Sequence, residues 1–119
     1  MYTRTVLLEM AIAIERSAKD FYSTLTIKFP VEKVLFNELA EDEELHAKRY
    51  TELLAGEEDV YSSGEGRMLA DYSIQVLEKT RIMNNLRRGS VRAQEAQDLM
   101  SALDEAIQME RDSLFFITA

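Results

Sequence analysis

Leu35, Leu39, Glu43, His46, Tyr50 and Leu53 follow one another at steps of four, four, three, four and three residues, the repeat that puts side chains on one face of a helix. A carboxylate and an imidazole interrupt that apolar face together. At a spacing of three they stand one turn apart on the same side, where both can reach one cation or bridge two. Glu15 lies between Ile12 and Ala18 on a second apolar stripe, and Glu110 between Ile107 and Leu114 on a third. A carboxylate turned into a core costs several kcal/mol unless it is paired or bound to metal. Two arrangements answer this. Either the helices are turned slightly and these groups sit in water or in hydrogen bonds at the edges of their stripes, or all four share one interior. In a shared interior three carboxylates and an imidazole need a multivalent cation among them. Oxygen-rich ligation with one imidazole suits octahedral-leaning iron or manganese better than structural zinc. Glu15, Glu43, His46 and Glu110 are therefore the candidate metal ligands.

Composition narrows the alternatives. The chain has no cysteine, which excludes disulfides, thiolate zinc sites, iron–sulfur clusters and a cysteine nucleophile. Acidic residues outnumber basic ones by 22 to 14, for a net charge of -8, and Lys and Arg form no stripe that could neutralise a phosphate backbone. Neither nucleic acid nor a membrane surface is an expected partner. No run of about 18 apolar residues occurs, and the opening Met-Tyr-Thr-Arg-Thr-Val-Leu-Leu-Glu meets an acidic residue too early for a secretory segment. The expectation is a cytoplasmic protein.

The elements that must position the four groups are helices. With 4 glycines and 1 proline in 119 residues, helix breakers are scarce and an all-α single domain over residues 1–119 is expected. Apolar spacing predicts a first helix over about 5–28, with Leu8, Ala11, Ile12, Ala18, Phe21, Tyr22 and Leu25 inward. Pro30 marks a tight connection. A second helix runs over about 31–55, with Leu35, Leu39, Tyr50, Leu53 and Leu54 inward and Gly56 as terminator. Residues 57–67, rich in Gly, Ser and acid, read as a loop. A third helix is expected over 68–88, stopped by Gly89, and a last one over about 91–118, capped by Ser90, with Leu99, Leu103, Ala106, Ile107, Leu114 and Ile117 inward. The first and last helices also align with each other: Leu8 to Phe21 against Leu103 to Phe116 pairs Glu15-Arg16 with Glu110-Arg111.

Ala11-Ile-Ala-Ile-Glu15-Arg-Ser-Ala-Lys-Asp-Phe-Tyr22 resembles the first-helix signature of rubrerythrin-like members of the ferritin-like superfamily. Leu39-Ala-Glu-Asp-Glu43-Glu-Leu-His46-Ala-Lys-Arg-Tyr50 resembles their second-helix motif, and Ala106-Ile-Gln-Met-Glu110-Arg-Asp-Ser113 their third bundle helix. The helix at 68–88 is similar to the connecting segment between the two halves. The resemblance implies that Glu15, Glu43, His46 and Glu110 are iron ligands of a di-iron site, and that Tyr22 and Tyr50 lie beside it as packing or hydrogen-bonding groups. It further implies oxidation of ferrous iron by dioxygen or peroxide, or peroxide reduction. With no Cys-rich electron-transfer domain in the sequence, electrons for that role would come from a separate protein.

The sequence departs from the family in one respect. The family's last bundle helix brings a second Glu-x-x-His, whereas this sequence has 1 His and ends at Ala119. Three explanations follow: a missing helix beyond Ala119, two copies that pair their first two helices into a complete four-helix site, or a degenerate member that binds metal weakly or not at all. The fold expectation is thus a ferritin-like bundle of three bundle helices plus a connecting helix, its fourth helix missing or supplied by a partner. A groove lined by Leu8, Leu39, Leu103 and Ile107 would stay open in a monomer, so a homo-oligomer, at least a dimer, is expected. The competing class is a helical oligomerisation module that holds no metal and catalyses nothing.

Overall fold

The computed structural model describes residues 4–58 and 88–118. The expected loop at 57–67 and helix at 68–88 lie outside the described residues except at their ends, as do the side chains of Leu114 and Ile117. Every regular element among the described residues is helical.

Helix α1 spans Arg4–Lys28. Its apolar residues fall at three- and four-residue steps, and Val6, Met10, Ile14, Ala18, Phe21, Tyr22 and Leu25 join the core. Phe29 breaks the helix with φ -124 and ψ 75, because a residue before proline is pushed out of helical geometry. Pro30 then opens a short 3-10 turn, Pro30–Glu32, where its missing N–H costs nothing. Helix α2 follows over Lys33–Glu58. It runs straight through Gly56. A helix-interior glycine costs about 1 kcal/mol, which weakens a helix without forbidding it.

Two corrections concern which faces are buried. On α2 Phe36, Ala40, Glu43 and Ala47 are buried and Leu39 packs against the core as expected, while Leu35 and Leu53 remain half exposed. The buried face keeps Glu43, with Leu39 packed at its edge, but is shifted toward Phe36, which is fully buried in the core. In the last helix Ala102, Ala106 and Met109 are buried and Ile107 is half exposed.

The expected continuous helix at 91–118 is two helices, α3 over Gly89–Glu95 and α4 over Leu99–Thr118. Ala96 is extended between them, and Asp98 starts α4 anew: its Oδ1 accepts the Ser101 N–H at 2.7 Å and its carbonyl accepts the Ala102 N–H at 3.0 Å. The Ser101 N–H holds the Asp98 carboxyl below its ordinary value of 3.8. Its stabilising contribution is thus present above pH 3.8 and lost as the pH falls through the lower folded value. Asp98→Ala should lower the melting temperature at pH 7 and lower it progressively less as the pH falls below 3.8 and the cap protonates; equal losses across that range would show that the cap is not the cause.

Ser90 lies inside α3 rather than capping it, and the helix expected before Gly89 falls outside the described residues. Gly89 is the first residue of α3, and its N–H donates to Ser17 Oγ on α1 at 2.9 Å. The Lys28 ammonium donates to the Ala93 and Gln94 carbonyls, neutralising the negative end of α3. Among the described residues, α1 is the element on which the others pack: α2, α3 and α4 all contact it. Among the described residues, no helix is long and apolar enough to cross a membrane.

Candidate metal centre

Glu15 of α1 and Glu43 of α2 are 6% and 7% exposed, although ionised carboxylates avoid such places unless something compensates them. Their helices bring them together because α1 and α2 are antiparallel neighbours and both glutamates lie on the facing stripes. His46, one turn beyond Glu43, closes the group. Its Nδ1 stands 3.4 Å from Glu15 Oε2 and 3.7 Å from Glu43 Oε2. These are ion-pair distances, too long for good hydrogen bonds. One ligand atom from each of the three residues lies within 4.8 Å of the others.

Glu15 Oε2 is fully buried and accepts no hydrogen bond in the described structure. An orphaned carboxylate oxygen facing an imidazole nitrogen and a second carboxylate is the arrangement a divalent cation would satisfy. The electrostatics agree. Burial pushes the Glu15 carboxyl above its ordinary 4.5, His46 pulls it back, and the Glu110 charge adds to the rise. The His46 side chain is 49% exposed, so the group is dry on its α1 side and open to water at the imidazole.

Glu110 stands apart from these three. It is exposed on α4, and its Oε1 accepts a hydrogen bond from Tyr22 Oη at 2.9 Å. The expected convergence of all four groups is thus realised for Glu15, Glu43 and His46, with Glu110 parked beside them. The matched positions Glu15 and Glu110 of the internal repeat differ accordingly, one buried and one exposed. Tyr22 is 2% exposed; burial, then the Glu110 charge, pushes its hydroxyl well above the ordinary tyrosine value, so it is a donor throughout the neutral range. Tyr50, half-buried on α2, is raised by burial and by the nearby Glu15 charge. The direct Tyr22–Glu110 bond was not foreseen from sequence. Its available signal was the seven-residue interval from Glu15 to Tyr22, two turns that return to the same face of α1.

The family model Rubrerythrin matches residues 7–117. The chain belongs to the rubrerythrin family. That match takes in all three of Glu15, Glu43 and His46, together with Glu110, and the all-helical architecture agrees with a ferritin-like bundle. No curated protein and no solved structure matches the chain. Rubrerythrin membership implies non-haem iron binding, and the Glu15–Glu43–His46 group could hold a metal ion.

Proposed function

We propose that this rubrerythrin-family chain binds iron, or manganese in its place, through Glu15, Glu43 and His46, and that a complete site holds two ions. The observation that carries this reading is the buried, unpartnered Glu15 Oε2 between His46 and Glu43. When bound, a pair of irons supplies redox chemistry with dioxygen or peroxide, as ferroxidase or peroxidase. The chain's own residues do the rest. Glu15 and Glu43 bring two carboxylates already desolvated, so ligation does not have to strip them of water. His46, half in solvent, leaves small molecules and electrons from a separate donor protein a path to the group. Phe21, Tyr22 and Leu25, all buried on α1, continue the dry floor away from it.

Three ligands are few for two ions, and Leu35, Leu53 and Ile107 are half exposed. A second copy placing its own Glu43–His46 pair against this group would add both ligands and apolar cover. The test is anaerobic titration of the full chain with Fe(II), followed by light scattering of the loaded protein. Saturable uptake with iron displacing any zinc, and a dimer or larger assembly, are the expected results. Stoichiometric zinc that iron cannot displace, or a monomer holding two irons per chain, would overturn the metal assignment or the assembly respectively.

A further inference from the structure

Ile27, Val31 and Val34 are 83%, 90% and 66% exposed, and all three stand within eight residues at the turn that joins α1 to α2. Leu35 beside them is half exposed. Single exposed apolar side chains are ordinary on a protein surface, whereas four crowded at one end of a helix pair mark a contact surface. The turn offers them no way inward. Phe36 is fully buried and Phe29 packs against the core, so the aromatic residues on either side anchor the turn from within. The Phe29 N–H donates to the Leu25 carbonyl at 2.8 Å and the Glu32 N–H to the Phe29 carbonyl at 3.1 Å, which fixes the backbone between them. We propose that this tip is a docking surface for the same tip of a second copy of the chain, an interface separate from the Glu15–Glu43–His46 cluster.

The charges select a second copy as the occupant. Side chains three residues apart eclipse one another in a 3-10 turn, so Val31 and Val34 share a face, with Glu32 on one flank and Lys33 on the other. When two such faces meet about a two-fold axis that runs along the valine stripe, Glu32 of each chain comes opposite Lys33 of the other. An axis across the stripe would set like charges together, so the flanks fix one orientation. A lipid surface offers no such match, because Glu32 and the net charge of -8 both oppose an anionic bilayer. The extent of the patch also fits. Four side chains at these exposures present on the order of 500 Å², and two tips together would bury about 1,000 Å², the lower bound of a specific interface. The fixed backbone keeps the ordering cost of docking low. Glu15 lies 12 residues before Ile27, about 18 Å along α1, so the contact forms without metal and leaves the cluster uncovered.

The test is sedimentation velocity of the full chain in chelator at about 10 to 200 µM, on wild type, Val31→Asp with Val34→Asp, Glu32→Lys, Lys33→Glu and the double reversal, with thermal melts of each. Both aspartates would stand near the start of a helical turn, where negative charge suits the helix dipole, so the variants keep the fold and the melts verify it. Wild type should dimerise reversibly, and the paired aspartates should weaken the dimer by about a hundredfold or more. Each single reversal should weaken it about three- to tenfold, with recovery to within about threefold of wild type in the double reversal. A wild type that stays monomeric at the highest concentration, or a dimer that the aspartates leave unchanged, would overturn the proposal. Reversals without effect, or a double reversal that does not recover, would remove the two-fold pairing and with it the choice of a second copy. Co-sedimentation of wild type with phosphatidylcholine–phosphatidylglycerol vesicles, lost in the aspartate variant, would make lipid the occupant instead. Chelator is present throughout, so none of these outcomes bears on the metal assignment.

Discussion

Glu15→Gln should lower the affinity for divalent cations by about a hundredfold or more and, in the same protein, raise the stability of the metal-free form. The two effects have one cause. The Glu15 carboxylate is buried with an oxygen that no hydrogen bond satisfies, an arrangement that favours a bound cation and disfavours an empty site. Glutamine keeps the shape but cannot ionise and is a poor ligand. The direction with pH follows from the raised folded value of Glu15. The native state holds this proton more tightly than the unfolded chain, so the group's contribution to stability is full below its ordinary 4.5 and declines as the pH rises through the folded value. Wild type should therefore be less stable than Glu15→Gln at pH 7, by on the order of 1 kcal/mol, and equal to it below pH 4.5. The attraction of His46 works against the difference, but that side chain is half in water, and its contribution is screened. Urea denaturation in the presence of a chelator at the two pH values measures the difference. A wild type more stable than the variant at pH 7 would mean that the His46 contact outweighs the burial of the charge.

Gly89→Ala should destabilise the chain by about 3 kcal/mol or more. A Cβ built on Gly89 falls 1.8 Å from the Ser17 carbonyl oxygen, 2.8 Å from its carbonyl carbon and 2.9 Å from its Oγ. The obstruction is backbone inside α1, which cannot rotate away as a side chain could. Either α3 lifts off α1 and the Gly89 N–H to Ser17 Oγ bond is lost, or α1 bends. Alanine's better helix propensity, about 1 kcal/mol over glycine, is too small to reverse the sign. Ser17→Ala in the same chain should not rescue it, because the closest atoms belong to the main chain. Gly56→Ala supplies the opposite sign from the same substitution: nothing lies within 4 Å of its added Cβ, and it stands inside α2, so stabilisation of up to about 1 kcal/mol is expected. Guanidinium denaturation of both variants checks the pair. Similar stabilities for the two would mean that α3 does not approach α1 as closely as the 2.9 Å hydrogen bond requires.

The sequence by itself determined the helical class, the break at Phe29-Pro30, and the sharing of one side of α2 by Glu43 and His46. Each follows from local physics: the helical period, the steric demand of proline, and the scarcity of breakers over long apolar stripes. The inward stripe of α1 was legible for the same reason, because a helix packed on by three others buries nearly every apolar residue it has. Only the tertiary structure decided the rest. The shift of the buried α2 face that takes in Phe36 and half exposes Leu35 depends on what α1 presents across the interface. Gly56 and Gly89 look alike in sequence, yet one sits in open space inside a helix and the other against the Ser17 backbone. A glycine permits both uses, and the neighbour that selects between them comes from another part of the chain. Asp98 was readable as a helix start, but the apolar period through Ala93, Ala96 and Leu99 masked it. At the candidate site, the phase of each stripe was enough to bring Glu15 to Glu43 and His46. The placing of Glu110 on Tyr22 was not legible, since it depends on the angle at which α4 leaves the Ala96–Asp98 break, a through-space property that no spacing along the chain encodes.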